Sequence, residues 1–163
     1  MASTAEQREA PAAAGDATVR VVSRRFGTFD VPVASILHFA QGLVGFPKYR
    51  RYVILDHRPG SPFKWMLSLD DPELAFAVAN PGELVVDYTP PLGLASRLLG
   101  TAADDIALFV LVTIPPDPTA MTVNLMAPVV ADMRTRQARQ IVLDDPRCPP
   151  DHRLVREPAA THP

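Results

Sequence analysis

Cysteine is almost absent from the 163-residue sequence, and Cys148 is the only one present. A single thiol permits no intrachain disulfide and no cysteine-based zinc site. This composition is typical of proteins in a reducing compartment, so we expect a cytoplasmic protein. Long apolar runs are also missing: the longest, residues 106–114, is far shorter than the roughly 20 residues that span a bilayer as a helix. No membrane partner is therefore expected.

The sequence also lacks an excess of charge of either sign. Its 16 Lys and Arg residues nearly balance 18 Asp and Glu residues, for a net charge of −2. Without a strong basic field, nucleic acid is not expected as a direct partner. The only basic clusters contain Arg50, Arg51, Arg134, Arg136 and Arg139, which we interpret as charged strand edges that oppose strand addition. A direct RNA-binding barrel is the alternative, and RNA affinity that falls steeply with salt would identify it.

Catalytic signatures are missing as well. The chain has no glycine-rich phosphate loop with its lysine, no nucleophile elbow and no histidine pair at helical metal spacing. Acid pairs occur at residues 70–71, 104–105 and 144–145, but adjacent residues of a strand point to opposite faces. We predict no catalytic, metal-binding or cofactor-binding residues, and hence no enzyme. A small hydrolase that uses paired acids is the less favoured alternative, and a deep pocket with converging titratable groups would identify it.

Proline is abundant, with 18 residues against a usual share of roughly 5%. Short segments rich in β-branched and apolar residues alternate with Pro and Gly turns, which favours strands over long helices. We predict a mainly β fold: a small, antiparallel, barrel-like single domain over residues 18–144, expected to be a monomer. One short helix is predicted over residues 92–99, between Pro91 and Gly100. Residues 1–17, which lack the apolar core of a signal peptide, and residues 145–163 are predicted to be disordered tails.

The central stretch, residues 63–81, reads as strand, turn and strand around Pro72. Four apolar side chains on the two sides of the turn are predicted to cover the barrel interior. They are Leu67, Leu69, Phe76 and Val78. The turn itself carries Asp70, Asp71 and Glu73, which we expect to form an exposed acidic corner.

Several blocks of distinctive residues occur in a fixed order along the chain. They are residues 25–27 (Arg-Phe-Gly), 41–46 (Gln-Gly-Leu-Val-Gly-Phe), 67–81, 112–115 (Val-Thr-Ile-Pro), 121–128 (Met-Thr-Val-Asn-Leu-Met-Ala-Pro) and 135–143. In this order they resemble the blocks of the bacterial flagellar assembly factor FliW family. The resemblance covers about residues 18–144.

The resemblance implies a small β-barrel-like domain that acts as a protein-binding regulator. Proteins of this family bind the translational repressor CsrA and antagonise its hold on messenger RNA. They also bind flagellin, so that free flagellin occupies them and leaves CsrA free to repress translation. The resemblance therefore implies CsrA and flagellin as partners in a switch that controls flagellin synthesis during flagellum assembly.

The contact surface is predicted from the residues themselves. We expect the acidic corner to act together with the loop around Ile114, Asp117 and Met121. Carboxylates would orient a partner and speed its association, while Ile114 and Met121 would supply apolar anchors. The alternative is that Asp70 caps its own turn and that Ile114 and Met121 belong to the core.

Overall fold

The structure is a computed structural model that describes residues 17–154. Residues 1–16 of the predicted N-terminal arm and residues 155–163 of the predicted tail lie outside this range. The predicted mainly β fold is confirmed, and the predicted helix is α1, Leu92–Leu99. The strands are β1 Thr18–Ser23, β2 Gly27–Pro32, β3 Leu37–Phe39, β4 Arg51–Asp56, β5 Phe63–Ser68, β6 Ala75–Ala79, β7 Ile106–Thr113, β8 Thr122–Val123, β9 Val129–Asp132, β10 Gln137–Gln140 and β11 His152–Arg153.

A closed barrel of 7 strands forms the centre of the molecule. Its strands are bonded in the order β7-β6-β5-β4-β3-β10-β9, and β9 pairs back onto β7. The pairing of β3 with β10 is parallel, whereas the other barrel pairs are antiparallel. β8 pairs with β7 and carries β11 outside the barrel. Because the ring is closed, its strands have a bonded neighbour on both sides.

Alternate side chains of the barrel strands fill its interior. Phe39, Tyr52, Met66 and Val78 are almost completely buried there. Phe76 packs against the same cluster, and its ring centroid lies 5.2 Å from that of Phe46 in an edge-to-face contact. The interior positions predicted for Phe76 and Val78 are therefore confirmed.

The prediction that Leu67 and Leu69 point into the barrel is wrong. Both are buried, but they pack outside the barrel against Val21 and Val31 of the β1–β2 hairpin. They alternate with Met66, which takes the interior position. Strand β5 is covered on both faces, so apolar residues occupy consecutive positions along it. Their pattern therefore does not show which face points into the barrel.

Three separate covers lie on the outer surface of the barrel. The β1–β2 hairpin lies over β4 and β5. Helix α1 places Ala95 against Val130 and Ile141, on the side of β9. The third cover lies over β6 and β7, where Val85, Tyr88 and Cys148 pack against the alanines and valines of these strands.

Residues 145–154 belong to the third cover, so the prediction of a disordered tail over residues 145–163 is wrong for this segment. Within residues 145–154, Cys148 is buried, and the backbone N–H of Leu125 donates to the carbonyl of Pro149 at 2.9 Å. β11 then pairs with β8, with His152 opposite Val123. Charge and proline content suggested disorder here, but a few apolar residues and one strand pair hold the segment on the barrel.

Gly42 holds a tight loop at the end of β3. Its φ is +68°, and an added Cβ would lie only 2.6 Å from the carbonyl oxygen of Phe46. Gly45, in the same loop, has φ +88° but open space where a Cβ would be. The loop therefore needs glycine at residue 42 for close backbone approach as well as for its dihedral angles.

Candidate partner-binding surfaces

Asp70 of the acidic corner is bound to the neighbouring strand. One carboxylate oxygen accepts hydrogen bonds from the backbone N–H groups of Arg50, at 2.7 Å, and Arg51, at 3.0 Å. The other lies 2.9 Å from Nε of Arg51. Burial alone would raise the pKa of Asp70, but these hydrogen bonds outweigh it and lower the pKa below its usual value. Asp70 therefore stabilises the start of β4.

The turn of the acidic corner is capped by a different side chain. The hydroxyl of Ser68 accepts hydrogen bonds from the backbone N–H groups of Asp70, at 3.1 Å, and Asp71, at 2.9 Å. Asp71 accepts one from the N–H of Glu73 at 3.1 Å. Glu73 in turn accepts one from the N–H of Arg24, at 3.1 Å, which connects the corner to the β1–β2 hairpin. Each of these two carboxylates uses one oxygen in this way.

The loop between β7 and β8 contains the other three predicted contact residues. Ile114 directly follows β7 and is 48% exposed. Asp117 accepts hydrogen bonds from the N–H and hydroxyl groups of Thr119, at 3.0 and 2.8 Å. Its bonds to the Thr119 side chain and backbone lower the pKa of Asp117. Met121 is half-buried and packs against the outer cluster over β6 and β7.

The sheet register brings the two parts of the predicted surface to the same end of the barrel. Ala77 of β6 lies opposite Val112 of β7, so the antiparallel register places Ile114 at the same end of the barrel as the acidic corner. Thr113 of β7 lies opposite Thr122 of β8, so Met121 lies across the hairpin from Ile114. Met121 also borders a groove of about 810 Å³ that extends to Phe63. Phe63 pairs with Ala79, at the end of β6 away from the corner. Asp117 belongs to the loop beside that groove.

Sequence reasoning missed most of this groove. It is lined by two half-exposed segments, residues 83–86 and 152–154, together with residues 62–63 and the loop at 118–121. Val86 stands out because it is 84% exposed. The pair Val85-Val86, which precedes Pro90 and Pro91, was the only sign of this groove in the sequence. The opposite wall is formed by residues 152–154, which the sequence analysis placed in a disordered tail.

The carboxylates are arranged for structure rather than for proton transfer. Asp105 of the second acid pair bonds Arg134 at 3.4 Å, and Asp145 of the third bonds Arg147 at 2.9 Å. A general acid requires a raised pKa, whereas the pKa is lowered in Asp30, Asp70, Asp117, Asp132 and Asp145. No cluster of three or more potential metal ligands occurs within residues 17–154. These features define a closed β-barrel whose carboxylates are used for structural contacts.

Comparisons with known proteins identify the family to which this barrel belongs. A family model described as FliW protein matches residues 20–154. The chain is 38% identical over 143 residues to the flagellar assembly factor FliW of Bdellovibrio bacteriovorus, covering 86% of this chain and 79% of that protein. It is 37% identical over 131 residues to the one of Caldicellulosiruptor saccharolyticus, covering 79% and 86%. A crystal structure of the flagellar assembly factor FliW matches with a TM-score of 0.75 and 27% identity, over 85% of this chain and 99% of that one.

The chain belongs to the FliW family of flagellar assembly factors. This confirms the family resemblance found in the sequence. Members of the family are regulatory proteins of flagellar assembly rather than enzymes, which decides against the hydrolase alternative. Within residues 17–154, no helix has the length and apolar character to cross a membrane.

Proposed function

We propose that this protein binds the translational repressor CsrA and flagellin alternately in the cytoplasm, and thereby couples flagellin synthesis to flagellum assembly. Membership of the FliW family over residues 20–154 carries this proposal. The barrel supports it in a general way, since it exposes polar and apolar surface beside a rigid core. As a monomeric regulator, it would antagonise messenger RNA binding by occupying CsrA.

The proposed antagonism is tested by titrating this protein into a CsrA and leader-RNA binding assay. We expect RNA to be released from CsrA as a complex of the two proteins forms. Retention of RNA by this protein alone, with no effect on CsrA, would instead support direct RNA binding. Flagellin should then restore RNA binding by CsrA.

The switch also requires reciprocal coupling between the two partners. If flagellin weakens the affinity for CsrA, CsrA must weaken the affinity for flagellin by the same factor. Isothermal titration calorimetry of each partner in the presence of the other measures both factors. Simultaneous binding at unchanged affinities would exclude a switch.

We further propose that partners contact the acidic corner through Asp71 and Glu73, next to Ile114. Each of the two carboxylates keeps one oxygen without a hydrogen-bond partner among residues 17–154. Asp70 is left out of the test because its hydrogen bonds hold β4. Asp117 and Met121 form a second part of the proposed surface, beside the groove.

The test compares two double variants that remove the same amount of charge. Asp71→Ala/Glu73→Ala changes the corner, whereas Asp104→Ala/Asp151→Ala removes two exposed acids elsewhere. We expect weaker CsrA or flagellin binding only in the corner variant, with a stability loss of about 0 to 1 kcal/mol per charge. Wild-type affinity for both partners in the corner variant would place the interface elsewhere on the barrel.

A further inference from the structure

The outer surface of β3 and β10 lies between the covers formed by the β1–β2 hairpin and helix α1. Ile36, just before β3, packs under the hairpin, and Ile141, just after β10, packs under the helix. Between them, His38 and Gln137 face outward opposite each other and are exposed. This sector of the barrel is therefore open to solvent.

Cations from two separate segments surround this open surface, which we call the basic sector. Lys48 and Arg50 precede β4, which pairs with β3. Arg136 precedes β10 and Arg139 lies in it, one strand away on the other side. Because neighbouring strands are about 4.8 Å apart, β4 and β10 are separated by only about 10 Å. The basic sector consists of His38, Lys48, Arg50, Arg136 and Arg139.

Within the described part of the chain, the side chains of the basic sector form no ion pairs with carboxylates. Arg51 is bonded to Asp70 and Arg134 to Asp105, but no carboxylate of residues 17–154 pairs with any member of the sector. The sequence-based interpretation of these arginines as protection of a strand edge is wrong. Both β4 and β10 have bonded neighbours on each side, so neither is an edge.

An exposed apolar residue borders the basic sector. Val44 is 67% exposed, and its backbone N–H donates to the side-chain oxygen of Gln140 at 2.8 Å. That hydrogen bond holds Val44 against the end of β10, one residue along the strand from Arg139. Val142, two residues beyond Gln140, is 60% exposed. Exposed apolar area thus lies close to the cations, at the end of β10.

We propose that the basic sector docks a short acidic polypeptide segment that also carries an apolar side chain. Guanidinium groups bind carboxylates through paired hydrogen bonds, and the fixed Val44 offers an apolar contact beside them. A nucleic acid fits less well. The net charge of the chain is −2, and bases would find few exposed aromatic rings to stack on. This surface adjoins the acidic corner, where the backbone N–H of Arg50 binds Asp70, but shares no residue with it. Its test needs neither CsrA nor flagellin.

The test uses a capped acidic peptide of about ten residues that contains two leucines, titrated at low salt against ¹⁵N-labelled protein. We expect saturable chemical-shift changes at residues 38, 44 and 136–140, and binding that weakens as salt is added. In Arg136→Gln/Arg139→Gln, affinity should fall about tenfold. The matched control is Arg58→Gln/Arg97→Gln, which removes two exposed arginines from other faces and should bind like wild type.

Further measurements separate site-specific docking from general attraction. Val44→Ser should also weaken the peptide, whereas Val86→Ser, at another exposed valine, should not. An equal loss in the arginine control, or shift changes spread over other faces, would overturn the proposal. A single-stranded RNA that binds the same residues more tightly than the peptide would also overturn it, in favour of a nucleic-acid surface.

Discussion

The acidic corner and the basic sector use charge in opposite ways. Asp70, Asp71 and Glu73 are adjacent in the sequence, yet each accepts hydrogen bonds from protein N–H groups. The cations of the basic sector come from distant segments, and they pair with no carboxylate of residues 17–154. The charges that are clustered in the sequence therefore stabilise the protein's own backbone in part. The charges without ion-pair partners are brought together only by the fold.

The largest expected loss of stability comes from a substitution in the barrel core, which supports both the acidic corner and the basic sector. Phe76 packs inside the barrel against Phe46 and Tyr52. Phe76→Ala should lower the free energy of unfolding by about 3 to 5 kcal/mol because it leaves a cavity. Urea unfolding measures this loss, and a midpoint equal to that of wild type would contradict the interior position of Phe76.

Gly42 tests whether the loop beside the basic sector depends on close backbone approach. Gly42→Ala places a methyl group against the carbonyl of Phe46 and should cost well over 1 kcal/mol, whereas Gly45→Ala meets only open space. Both glycines have positive φ, so the matched variant carries only the conformational penalty of about 1 kcal/mol. Equal thermal shifts in the two variants would show that the contact is unimportant.

Asp70 tests the structural use of charge at the acidic corner. Asp70→Ala leaves the N–H groups of Arg50 and Arg51 without their acceptor and should cost about 1 to 3 kcal/mol. Asp71→Ala, its neighbour, should cost at most about 1 kcal/mol. Chemical denaturation of the two variants compares them directly, and similar losses would mean that Asp70 has no special role.

The same residue predicts a pH dependence. Hydrogen bonds lower the pKa of Asp70 in the folded state despite burial, whereas an unfolded Asp has a pKa near 3.9. Its contribution is therefore complete above about pH 4 and is lost as the pH falls through the folded-state pKa. The stability difference between wild type and Asp70→Ala should shrink on acidification, and a difference that grows would show the wrong sign.

The smallest effect is expected at the basic sector. Arg136→Gln/Arg139→Gln should change the free energy of unfolding by no more than about 0.5 kcal/mol, since neither side chain pairs with a carboxylate of residues 17–154. Thermal melts decide this point. A loss comparable to that of Asp70→Ala would mean that these arginines, too, are structural.

Local patterns predicted much of this fold. Pro91 and Gly100 bracket α1 as expected, because proline favours a helix start and Gly100 adopts the left-handed conformation, with φ 69°, that ends it. The β5–β6 hairpin followed from alternating apolar runs around Pro72. The ordered residues 145–154 were missed, since their burial depends on contacts with distant strands rather than on local composition.

The sequence by itself determined most of the strands, the helix and membership of the FliW family, because these depend on neighbouring residues and on ordered blocks. Only the tertiary structure decided that Leu67 faces outward and that Asp70 supports β4. It also decided that Arg139 lies near Arg50, through the parallel pairing of β3 and β10. The physical reason is that barrel closure joins strands far apart in the chain, and no local pattern specifies which strands become neighbours.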